Sequence, residues 1–102
     1  MELKDAQRVQ WQFDEQHWDL NKDKFTKLRH ILLHLTTLLG TVGRYCERQE
    51  HGQAGEESAL REEVAPDLLI YALQLANLLS IDIENAYSAR LERNRRRSES
   101  PK

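Results

Sequence analysis

Two sets of polar side chains recur at helical spacing inside otherwise apolar stretches. His30, His34, Thr37 and Thr41 fall within about 60° of one another when wound at roughly 100° per residue, and Asp67, Tyr71 and Gln74 do likewise. If the two stripes face each other they line a polar pocket between helices, a usual place for a ligand in a helical bundle. The competing reading is that these groups bond one another or the backbone and set helix register, threonine being able to bond the preceding turn. The His30 and His34 imidazoles, four residues apart, also have the spacing of a transition-metal pair, a pattern that arises often by chance. A third cluster lies near the C-terminus, where Arg90, Arg93, Arg95, Arg96 and Arg97 stand against the single Glu92. Forked guanidinium donors suit phosphate, and a basic helix end equally complements the helix dipole. Cys46 is the only cysteine, so no internal disulfide can form, and no local motif ties a histidine to it. It is expected to be a half-buried helix residue.

Four helical segments must position these groups, and no strand alternation competes with them. The first, about residues 3–18, has a thin apolar stripe through Leu3, Ala6, Val9 and Phe13, and is expected to be peripheral. Asp19, Asn21 and Asp23 then supply turn and N-cap acceptors. The second, about 24–47, has a seam at Phe25, Leu28, Leu32, Leu35, Leu39 and Val42, in alternating steps of three and four. A second stripe, Ile31, Leu38 and Tyr45, widens the apolar face, so this helix is expected to have neighbours on two sides. Gly40 and Gly43 each cost about 1 kcal/mol of helix propensity relative to alanine, which points to close packing or a site. Residues 48–58 read as a loop.

The third segment, about 59–79, contains Pro66, where a kink or a fresh helix start is expected because proline lacks an N–H and restricts Ala65. From Leu68 to Leu79 it is apolar nearly all round, which predicts a central helix. Asp82 caps a fourth helix running to about Arg97, with Ile83, Ala86, Tyr87 and Leu91 facing inward, and residues 98–102 are expected to be a disordered tail. The predicted fold is therefore all-α, a single domain over residues 1–97 built as a four-helix antiparallel bundle. Its core is expected to be completed by dimerisation, because three amphipathic neighbours cannot easily cover a helix that is apolar on every side.

Composition bounds the partners. Apolar residues make up 39% and charged residues 31%, a globular balance, and the formal net charge of −2 gives no overall attraction to nucleic acid or anionic lipid. The N-terminus lacks the apolar segment of a signal peptide, and Gln74 and Asn77 interrupt a stretch already too short for a membrane span. A cytoplasmic protein with no membrane or nucleic-acid partner is expected.

The stretch from Glu63-Val64-Ala65-Pro66-Asp67 through Leu73-Gln74-Leu75-Ala76-Asn77, then Ile81-Asp82-Ile83-Glu84, then Arg90-Leu91-Glu92-Arg93-Asn94-Arg95-Arg96-Arg97, resembles the second half of the MazG-like all-α nucleotide pyrophosphohydrolases, particularly the dCTP pyrophosphatase branch. It aligns without a gap over residues 63–97. The first half is similar more loosely, through Phe13-Asp14-Glu15-Gln16-His17-Trp18 and Leu35-Thr36-Thr37-Leu38-Leu39-Gly40-Thr41-Val42, so that the likeness covers about residues 8–97. The resemblance implies a dimer or dimer of dimers that cleaves nucleoside triphosphates to monophosphate and pyrophosphate, with Mg²⁺ held by carboxylates from two helices. The family pattern is Glu-Glu-x-x-Glu on the long helix and Glu-x-x-Asp on the next.

In this chain the first motif falls on Thr37, Leu38 and Thr41, and the Glu of the second on Val64, which leaves Asp67. Glu62 and Glu63 are near but out of register. The positions that the resemblance assigns to phosphate match better: Arg90 stands at the usual lysine, and Asn94 and Arg97 match directly. Trp18 lies near the aromatic implied to stack on the base, in a segment one residue short. The expectation that follows is a homologue lacking ordinary Mg²⁺-dependent hydrolysis, acting as a nucleotide-binding, anion-binding or regulatory protein. Its ligand set is Trp18, His30, His34, Thr37, Thr41, Tyr71, Arg90, Asn94 and Arg97. The alternatives are an active pyrophosphohydrolase with a rebuilt metal site at Glu62, Glu63 and Asp67, with His30 and His34 and another metal as a variant of it, and a helical protein-interaction module.

Overall fold

A computed structural model of the chain describes residues 1–18 and 22–99. It is all-helical. Helix α1 spans Leu3–His17, α2 spans Lys24–Glu50, a π-helical turn over Leu60–Val64 leads into α3 at Ala65–Leu78, and α4 spans Ile83–Glu99. Among the described residues no single helix is long and apolar enough to cross a membrane.

The helix ends follow from local chemistry. Asp23 Oδ1 accepts the Thr26 N–H at 2.7 Å, and Asp82 Oδ1 accepts the N–H groups of Glu84 and Asn85, so both predicted caps are in place. The turn chemistry expected of Asp19 and Asn21 lies outside the described residues. Helix α2 ends in a left-handed Gly52, φ 71°, with Gly52 N–H donating to Gln49 and Gln53 N–H to Arg48. The same pair of bonds closes α3, from Ser80 to Asn77 and from Ile81 to Ala76, although serine holds the left-handed position at φ 56°.

Several expectations are corrected. Helix α2 continues three residues past Glu47, and α4 takes in Ser98 and Glu99, which were expected in the tail. The fresh start expected at Pro66 is present in a mild form: α3 begins at Ala65 with Pro66 in its first turn, while the backbone stays helical through the junction. The wider π turn immediately before it, with Ala65 N–H reaching back to Leu60, accommodates the missing donor and the ring. Between Leu60–Leu78 and Ile83–Glu99 the chain bends by 107°, so α4 does not run back antiparallel along α3. Cys46, expected to be half-buried, is exposed.

Helix α3 is central, packed by α1 on one side and α2 on another. The core between them is small: Ile31, Val64, Leu73 and Ala76 are its buried apolar residues. The second stripe of α2, headed by Ile31 at 1% exposure, is the one that faces α3. The longer seam is largely outside, with Phe25 71%, Leu32 58% and Leu39 65% exposed, while Leu35 and Val42 border the two faces. On α3 the matching outward residues are Leu68, Leu69 and Leu79. Helix α1 also departs from its predicted face. Val9 and Phe13 point out, and its inner side is Leu3, Gln7, Gln10 and the buried Asp14.

The dimensions agree with this open packing. The radius of gyration is 16.9 Å where a compact chain of this length has about 13 Å. The accessible surface is 8165 Å² against about 6000 Å² for a compact monomer of this mass.

Ile31→Ala should cost about 2–5 kcal/mol in urea unfolding, the usual range for emptying a packed aliphatic site. Ser80→Gly should gain about 0.5–1 kcal/mol in the same measurement by relieving the left-handed serine; a loss would show that the Ser80 side chain makes a compensating contact.

Candidate functional site

The site grows from the first two turns of α2 and the end of α1. Trp18, the residue that caps α1, meets the His30 ring edge-on with centroids 5.5 Å apart. His30 meets His34 at 4.4 Å, and His34 stacks on Tyr71 of α3 at 5.2 Å with the ring planes 17° apart. A continuous row of rings thus links α1, α2 and α3. The sequence stripes do meet at His34 and Tyr71, but not along their whole length.

Thr37 and Thr41 take no part in a shared pocket. Their hydroxyls donate to Leu33 and Thr37 carbonyls one turn back on their own helix. Gln74 turns the other way, its Nε2 donating to Asp14 of α1 at 3.0 Å. Asp67 sits half-buried near Tyr71, whose phenol is pushed up by burial first and by the Asp67 charge second.

A cleft of about 440 Å³ opens where α1 and α2 diverge. Trp18 and His30 give it flat faces, with His17 beside them, and Lys22, Lys27 and Arg29 line it with cations. Thr26 and Leu33 also line it, and among the described residues no carboxylate does. The cleft near the end of α2 differs, because Glu47 stands among its Arg44, Arg48 and His51. The first cleft is therefore the one suited to an anion carrying a planar ring.

The residues Lys22, Lys27 and Arg29 were not singled out from sequence. Their signal is the run of basic residues just after Trp18, which a helical-face reading dismisses as solvated. Burial holds the His30 imidazole below its ordinary value, and the His34 and Lys22 charges push the same way. Both effects favour the neutral ring of His30.

The donors for magnesium are not assembled. At the positions the resemblance assigns to carboxylates, Thr37 and Thr41 are committed to the backbone, Leu38 is aliphatic and Val64 is 4% exposed in the core. Glu62 and Glu63 are exposed on the π turn. Among the described residues no three of His, Cys, Asp or Glu come together to hold a metal, so neither Asp67 with Glu63 nor His30 with His34 gains a third ligand. These residues do not fit a Mg²⁺ ion, which takes near-octahedral oxygen coordination.

Arg90, Asn94 and Arg97 lie exposed along α4 and do not line the cleft beside Trp18. Arg95 and Arg96 on the same helix are paired with Glu92, and Arg95 also with Glu99. Comparison with protein-family models, with curated proteins and with solved structures gives no match.

The depressed His30 has a consequence for stability. The folded chain binds fewer protons there than the unfolded chain, so its contribution is complete above about pH 6.5 and is lost as pH falls below that value. His30→Asn should flatten that acid limb in urea titrations between about pH 7 and 5, and ring NMR should place His30 below a free histidine.

Proposed function

We propose that the chain is a MazG-like homologue that binds a nucleotide or related phosphorylated anion without ordinary Mg²⁺-dependent pyrophosphohydrolysis. The observation that carries this reading is the contrast between two neighbouring places. The cleft beside Trp18 gathers three cations and two aromatic faces, with no carboxylate among the described residues that line it, while the positions for metal-binding carboxylates hold threonine, leucine and valine. A base would lie against Trp18 and His30, and Lys22, Lys27 and Arg29 would meet the phosphates. Pyrophosphate cleavage needs an activated water and a neutralised polyphosphate, which a metal ordinarily supplies. Asp67 alone does not supply a coordination set.

A second copy of the chain belongs to the proposal. The outward seam of α2 and the outward side of α3 leave an excess of about 2000 Å² over a compact monomer, the scale of an obligate interface. Gly43 lies on the same face of α2 as Phe25 and Leu32, and a Cβ added there meets nothing within 4 Å in one copy. Its cost to the helix becomes intelligible if another helix approaches closely at that point. A homodimer, or a dimer of dimers, covers these faces. It also offers a way for Arg90, Asn94 and Arg97 of one copy to approach the cleft of the other.

Incubation with a panel of nucleoside triphosphates and Mg²⁺ or Mn²⁺ should release no pyrophosphate above background, while tryptophan fluorescence should report saturable binding that Trp18→Ala abolishes. Robust pyrophosphate release would overturn the loss of hydrolysis. Binding should tighten as pH falls through the His30 titration below about pH 6.5, because an anion favours the protonated ring. Light scattering should give twice or four times the chain mass, and Leu32→Glu with Leu39→Glu should reduce it to one; a monomeric wild type would favour the interaction-module reading.

A further inference from the structure

Helix α1 is fastened to the rest of the chain by amides more than by apolar contact. Gln7 Nε2 donates to the Ile81 carbonyl at 2.7 Å, and Gln7 Oε1 accepts the Ile83 N–H at 3.0 Å. The Gln7 main-chain carbonyl receives Asn77 Nδ2 at 3.2 Å. Two turns along α1, Asp14 Oδ1 accepts Nε2 of both Gln10 and Gln74 at 3.0 Å each. Asp14 and Gln74 are 4% and 6% exposed, so this second fastening is shielded from water. Meanwhile Val9 and Phe13 on α1 stay about half exposed, at 47% and 54%.

Such an interface opens more easily than an apolar one of equal area. Amide groups released on opening regain hydrogen bonds from water, whereas released aliphatic surface does not. The docked state also carries an unreturned cost, because Gln74 Oε1 is buried without a partner. The end of α1 nevertheless supplies His17, with Trp18 next to it, to the cleft, and α2 supplies Lys27 and Arg29. A ligand seated there touches both helices.

We propose that α1 is a detachable arm, held by the Gln7 and Asp14–Gln74 clasps, and that its docking and the filling of the cleft by a nucleotide are one linked equilibrium. The inference rests on the nucleotide reading of the cleft. A ligand that requires the docked arm lowers the open population by the factor 1 + [L]/Kd, about 100-fold at one hundred times Kd. Gln7 is then a positioning residue: it lies outside the cleft, yet loosening it lowers apparent affinity by the fraction of chains left docked.

Hydrogen exchange on the full chain, with and without metal-free dCTP in EDTA, tests this. Amides of α1 should slow by up to the linkage factor as dCTP rises, well beyond any slowing of the amides of α3. Gln7→Ala should speed α1 exchange in proportion to the open population and weaken dCTP binding by the fall in the docked fraction that this exchange reports, with α3 exchange reporting that the remainder stays folded; Asn77→Ala provides an independent loosening of the same clasp. Unchanged α1 exchange at saturating dCTP would overturn the arm while leaving the cleft reading standing. So would a clasp variant whose α1 amides exchange with no protection, the arm then being mostly open, and whose dCTP affinity is still that of the wild type. No binding of dCTP or of any nucleotide in the panel by the wild type would remove the cleft reading itself, and the arm with it.

Discussion

The packing of α3 between α1 and α2 is the constraint from which the remaining features follow. Leu73 and Ala76 are buried by those neighbours, and Ile31 and Val64 join them. That core is small, and it occupies only part of the circumference of a helix that is apolar all round. The outward leucines of α3 and the outward seam of α2 are its remainder. A chain of this size has little hydrophobic stabilisation to spare. Leaving so large an apolar face in water opposes folding, and the proposed second copy would turn the same residues into stabilisation.

The two neighbours of α3 attach in different ways. Helix α2 offers aliphatic side chains headed by Ile31, together with the His34 ring stacked on Tyr71. Helix α1 offers glutamines and a carboxylate, whose bonds are directional and replaceable by water. Directional bonds set the register of α1 on α3 more sharply than apolar contact does. They also keep the end of α1, and hence Trp18, in place without a large penalty for movement. The cleft lies beside the end of α1, where the attachment by amides borders the attachment by apolar and aromatic side chains.

The cations around the cleft set its electrostatics. A polyphosphate approaching Lys22, Lys27 and Arg29 is attracted, and His30 becomes easier to protonate as the negative charge arrives. Among the described residues no cluster of acidic ligands stands beside it to concentrate a divalent ion. Recognition of the anion and activation of water are separate physical tasks, and this chain keeps groups suited to the first.

Much of this was legible in the residues themselves. Helix existence, the caps at Asp23 and Asp82, the central role of the third helix and the meeting of His34 with Tyr71 all follow from period and local hydrogen-bond chemistry, which act over a few residues. Only tertiary structure decided which apolar stripe of α2 faces inward, because Ile31 and Phe25 are equally apolar and periodicity cannot say which neighbour is present. Tertiary structure also turned Gln74 to Asp14 across sixty residues of chain, sent α4 away at 107° and gathered Lys22, Lys27 and Arg29 around Trp18. Those choices depend on how helices lie against one another, and side chains distant in sequence acquire a common purpose only after that packing is complete.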